Sequence, residues 1–141
     1  MISVLQHTQS GGVTNDTANA WPWPNFSRAE MACRCCGQGY YWPEFMARLQ
    51  MARDLIGAPL KINSAHRCGL HNARVGGAPL SQHLKLAADM SLAGHDRHAL
   101  YLACRDAGFS GFGFAQTFLH VDLGRKRFWY YGERSKALWR T

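Results

Sequence analysis

The chain of 141 residues has no run of about 18 apolar residues, which excludes a membrane-spanning helix. Its opening stretch, MISVLQHTQSGGVTNDTANA, has no basic segment followed by a long apolar one, so no secretory signal is expected. Acidic residues are scarce: 9 Asp and Glu against 16 Lys and Arg leave a formal charge of +7. Charged residues make up only 18% and hydrophobic residues 47%, which excludes a disordered chain. No helix-turn-helix or zinc-finger pattern accompanies the basic charge, so nucleic acid is not an expected partner, and neither is a membrane. The charge suits solubility or attraction to a polyanion such as a bacterial wall. Internal repeats are missing too. Cysteine is present in an odd number, 5, and in a chain made without a signal disulfides are the weaker expectation.

The length fits one domain with a real core. Residues 1–23, rich in Gly, Thr, Asn and Gln, show no period and are expected to form a flexible N-terminal arm ahead of a domain over 24–141. In WPEFMARLQMARDLIG, Pro43 suits a first helical position, and Phe45, Met46, Leu49, Ala52, Leu55 and Ile56 recur at helical spacing up to Gly57. A short strand follows around Leu60 and Ile62, then one or two helical turns in GLHNARVGG. AADMSL reads as a strand and HDRHALYLACRDAG as a second long helix capped by Asp96, with Leu100, Ala103, Cys104 and Ala107 inward. FSGFGF and TFLHVDL read as paired strands, and KRFWYYG as a last strand. The predicted class is α+β: a single domain with a small, mainly antiparallel sheet flanked by helices, working as a monomer.

The stretch SQHLKLAADM places His83 and Asp89 at the ends of an otherwise apolar run. In TFLHVDLG, His120 and Asp122 share one face of a strand, because side chains alternate. Two imidazoles and a carboxylate brought together from a loop and two strands make the three-ligand set of a catalytic zinc, with a fourth position open. Residues from about Trp23 to Trp129 resemble the D-Ala-D-Ala carboxypeptidase-type zinc peptidases, which share a core with the D-alanyl-D-alanine dipeptidases and the hedgehog domain. The likeness is greatest to short phage and prophage members. It rests on Ser81, His83 and Asp89, on the later His120 and Asp122, and on NSAHRCGLHNARVGG, where Arg67, Asn72, Gly76 and Gly77 stand in matching places.

The resemblance implies zinc-dependent hydrolysis of amide bonds in peptidoglycan stem peptides or cross-links, with Zn2+ at His83, Asp89 and His120. The wall would be reached by phage-type release or on a particle. Some relatives carry an acidic residue three positions before the last His. That position is Thr117 here, which leaves Asp122 as either the general base or a carboxylate that orients a ligand His. Arg67 is expected beside the site as an anion donor, and Ser81 as support for the His83 loop. One departure stands out. The family pattern has six residues between the first His and the Asp, and this chain has five, lacking the motif glycine. A shortened loop predicts His83 as the least well-placed ligand and weaker zinc retention. A metal-poor, non-catalytic peptidoglycan-binding relative is the alternative. The remaining candidates are Cys33, Cys35, Cys36, Cys68 and His71: a second, structural zinc site, a disulfide, or free thiols. Trp129, Tyr130 and Tyr131 are candidates for a substrate groove or for ordinary sheet packing.

Overall fold

A computed structural model describes residues 12–14 and 19–141. Residues 1–11 and 15–18 of the expected arm lie outside the described residues. The rest of that arm packs: β1 (Val13–Thr14) pairs antiparallel with β2 (Tyr40–Tyr41), and Trp23 is buried. The helix α1 (Arg28–Met31) begins at a reciprocal cap, where the Ser27 hydroxyl accepts from the Glu30 amide and Glu30 accepts from the Ser27 amide.

The long helix α2 (Pro43–Ile56) starts on proline and stops at Gly57, whose φ of 68° is left-handed. Phe45, Met46, Leu49 and Ala52 are buried as expected, but Leu55 turns out to solvent. The strands β3 (Ile62–Ser64), β4 (Ala88–Ser91), β5 (Gly111–Phe114), β6 (Phe118–Asp122) and β7 (Arg127–Tyr130) form one sheet in the order β3-β4-β6-β5-β7. Between β3 and β4 lie α3 (Gly69–Arg74) and a single 3-10 turn, Gln82–Leu84. The helix α4 (Arg97–Asp106) precedes β5. Asp96 stands at its start, but its side chain caps nothing, contrary to expectation.

The pairings β3/β4, β4/β6 and β6/β5 are antiparallel, whereas β7 runs parallel to β5. The α+β class and the mainly antiparallel sheet follow the sequence-based expectation. A C-terminal helix, α5 (Glu133–Trp139), was not anticipated; its Trp139 is buried and donates from Nε1 to the Ala115 carbonyl at 2.7 Å.

The sheet has two unlike faces. Met90, Leu119 and Val121 are fully buried, together with Phe45, Met46 and Leu49 of α2 and Leu100 and Cys104 of α4. Burying each such side chain contributes about 1.5–3 kcal/mol. Period-2 alternation sends Asp89, His120 and Asp122 to the other face. The GFGF stretch has the same logic. Phe112 and Phe114 take the aromatic side, while Gly111 and Gly113 lie on the polar side, where a Cβ would strike Asp122 and Arg127 or the rings of Trp129 and Tyr131.

Candidate metal centre

The β4/β6 register places Asp89 directly opposite His120. The 3-10 turn brings His83 to the same spot. The ligand atoms of His83, Asp89 and His120 lie within 4.8 Å of one another, and the three residues are buried. The geometry thus joins all three sequence-predicted ligands.

The back side of each ring fixes its tautomer. His83 Nδ1 lies 2.6 Å from the Ala65 carbonyl, which can only accept, so Nδ1 carries the proton and Nε2 a lone pair. That Nε2 faces Asp89 Oδ1 at 3.2 Å. His120 Nε2 donates to Asp122 Oδ2 at 2.6 Å, so its lone pair is on Nδ1, 2.9 Å from the same Asp89 oxygen. Two lone pairs and a carboxylate oxygen converging on one point repel each other unless a proton or a cation lies among them. This donor set fits a divalent metal held by two neutral imidazoles and one carboxylate.

The electrostatics agree. Burial alone would raise the Asp89 carboxyl, but hydrogen bonds and charge from His120 and His83 hold it well below the usual carboxylate range. His120 is desolvated, which lowers its proton affinity, yet the carboxylates of Asp122 and Asp89 raise it overall. Any proton held there would be displaced by a metal.

Asp122 is fully buried, and both its oxygens are engaged. Oδ1 accepts from the Gly124 amide at 2.9 Å and from Arg127 Nη1 at 2.6 Å; Oδ2 accepts from His120 and from Arg127 Nη2 at 2.8 Å. It stands behind His120, on the side away from Asp89. From there it holds the ring of His120. Arg127, its bidentate partner, was not foreseen from sequence. Its guanidinium also lies 5.0 Å from the Trp129 ring centroid.

Arg67 stands at the rim. Nη2 is 3.7 Å from Asp89 Oδ2, Nη1 donates to Asn72 Oδ1 at 3.2 Å, and Nε donates to Ser64 Oγ at 3.4 Å. Ser81 accepts the His83 amide on its hydroxyl at 3.1 Å, which caps the 3-10 turn. The short loop passes through that turn, and the Ala65 carbonyl pins the His83 ring. Lys85, where the motif glycine would follow, has φ −100°, a backbone that does not require glycine.

The ligands open onto a cleft of about 730 Å³, lined by Arg67, Leu80, Arg125, Trp129 and Tyr131 among others. Trp129 and Tyr131 face it from β7 and just beyond, with the Trp129 ring 5.1 Å from His120; Tyr130 points to the opposite, aromatic side. The cysteine candidates are elsewhere. The sulfurs of Cys33, Cys36 and Cys68 cluster within 4.8 Å of one another; Cys35 and His71 lie outside that group, and the His71 amide donates to Cys68 Sγ at 3.4 Å.

A model of the family described as Peptidase M15 matches residues 24–122, well over half of the chain and inclusive of all three ligands. No curated protein matches the chain.

Proposed function

Since the chain belongs to the peptidase M15 family, we propose that it is a zinc metallopeptidase that hydrolyses amide bonds in the stem peptides or cross-links of peptidoglycan. The observation that carries this reading is the convergence of two imidazole lone pairs and Asp89 on the floor of an open cleft. Zinc bound there supplies Lewis-acid polarisation of the scissile carbonyl and an acidified water. The chain's own residues do the rest. Asp122 keeps the proton on the far nitrogen of His120, and Ala65 does the same for His83. Arg67 offers guanidinium donors at the rim to a substrate carboxylate or to a developing oxyanion. Arg125 adds positive charge to the same wall, and Trp129 and Tyr131 screen one side from water. The place of action on this reading is the cell wall, reached by phage-type release or on a particle.

One feature favours a second reading, a non-catalytic wall-binding relative. Asp89 and Asp122 are the acidic side chains among the described residues lining the cleft, and both are tied to imidazoles. The zinc-loaded protein should release new amino groups from purified sacculi and from synthetic stem peptides, read by mass spectrometry. Chelation should abolish the activity, zinc should restore it, and His120→Ala should lack it. Zinc-loaded protein that binds sacculi but cuts neither substrate would replace the peptidase reading with the binding one.

A further inference from the structure

The motif left over is CRCCG, with Cys68-x-x-His71. In the fold its two parts meet. The chain around Cys33–Gly37 closes on itself: the Cys33 amide donates to the Gln38 carbonyl at 2.8 Å, and the Gly37 amide donates to the Cys33 carbonyl at 2.9 Å. Gly37 has a φ of 76°, the left-handed conformation that glycine adopts without cost. This tight loop points the Cys33 and Cys36 sulfurs the same way, and Cys68 comes to them from the start of α3. All three sulfurs fall within 4.8 Å of one another.

The amides around them are aimed at sulfur. The Cys68 amide donates to Cys33 Sγ at 3.4 Å, and the His71 amide donates to Cys68 Sγ at 3.4 Å. A thiol sulfur is a weak acceptor, and such a nest of N–H groups suits a negatively charged thiolate. Thiolates gathered at this spacing need a cation among them. Cys104 supplies the contrast: it is buried in the core against Met90, with no such cluster.

We propose that Cys33, Cys36 and Cys68 hold a second, structural zinc ion, with Cys35 or His71 as the fourth ligand. The two CxxC/CxxH-type pairs have the spacing of closed tetrahedral zinc sites. The location gives the ion a task. Cys68 follows the segment 65–67, whose Ala65 carbonyl orients His83 and whose Arg67 lines the cleft. On the other arm, the Met31 carbonyl accepts the His66 amide at 3.2 Å. The ion therefore clamps the N-terminal loop to the segment that shapes the substrate cleft. It is independent of the ion at His83, Asp89 and His120.

Cobalt separates the two sites, because only sulfur ligands give an intense thiolate-to-cobalt charge-transfer absorption. Wild-type protein should contain about two zinc ions per chain by elemental analysis, and exchange into Co2+ should produce that absorption. His120→Ala should keep the absorption and one metal. Cys36→Ser should lose it. Cys35→Ser and His71→Ala identify the fourth ligand by which of them shifts the cobalt spectrum. The wild-type spectrum alone decides if the cysteine variant fails to fold: metal-loaded protein without sulfur charge transfer overturns the proposal. So does an intact mass showing a disulfide among these cysteines in protein purified under reducing conditions. One metal with strong charge transfer would uphold this site and count against the peptidase centre instead.

Discussion

Asp89 and Asp122 are separated by one imidazole, and hydrogen bonding divides their tasks. Asp89 shares one oxygen with both ring nitrogens that carry lone pairs. Asp122 takes the proton-bearing nitrogen of His120 and the fork of Arg127. In Asp122→Asn, two of the four donors now aimed at the carboxylate would meet an amide N–H₂; with the nitrogen in the place of Oδ2 these are His120 Nε2 and Arg127 Nη2. Relief at His120 comes if it flips its tautomer, accepting at Nε2 and carrying its proton on Nδ1, where the metal should bind. Zinc affinity should then weaken about 10–100-fold, the usual effect of losing a carboxylate behind a ligand His. Competition with a chromophoric chelator measures this. A fall in turnover with zinc affinity intact would instead make Asp122 the base.

The loop from His83 to Asp89 is the element in which the sequence pattern and the fold disagree. Leu86 and Ala87 are fully buried, and the Lys85 carbonyl lies 2.6 Å from His66 Nδ1. Both ends are fixed, by the Ala65 carbonyl at His83 and by the β4/β6 register at Asp89. Inserting Gly between Lys85 and Leu86 restores the family spacing but adds a residue inside a packed segment. The insertion should therefore lower both zinc retention and thermal stability, at a cost of about 1–3 kcal/mol, typical of overpacking. An insertion protein that holds zinc as tightly as wild type would mean the loop has room that these contacts deny. The ligand triad itself was legible because it needs only one loop, two strands and period-2 alternation. Arg127 was not, since its pairing with Asp122 depends on β7 docking parallel to β5 rather than returning as a hairpin. The sequence reads FSGFGF as a strand; only the sheet reveals that its glycines make room for Asp122, Arg127 and the Trp129 ring. Leu55 failed for a simpler reason: helical periodicity names a stripe, and the edge of that stripe outruns what the sheet can cover.

At the scale of the whole molecule, the proposed wall substrate would meet two sets of charges, one on the surface and one in the cleft. The chain carries a formal +7, and Arg67, Arg125 and Arg127 gather at the cleft. Long-range attraction to a polyanionic wall acts through solvent and is screened over about 10 Å at 0.1 M salt. Contacts inside the cleft are shorter than that and partly desolvated, so salt reaches them less. The two contributions separate by substrate size. Raising salt from about 0.05 to about 0.5 M should slow cleavage of intact sacculi several-fold, because local concentration at the wall falls. Cleavage of a short soluble stem peptide should change little over the same range, since on the proposed reading its capture would depend on Arg67 and the metal ligands. Equal salt sensitivity for both substrates would place the electrostatic contribution in the cleft, and the scattered surface lysines and arginines would then have no part in finding the wall.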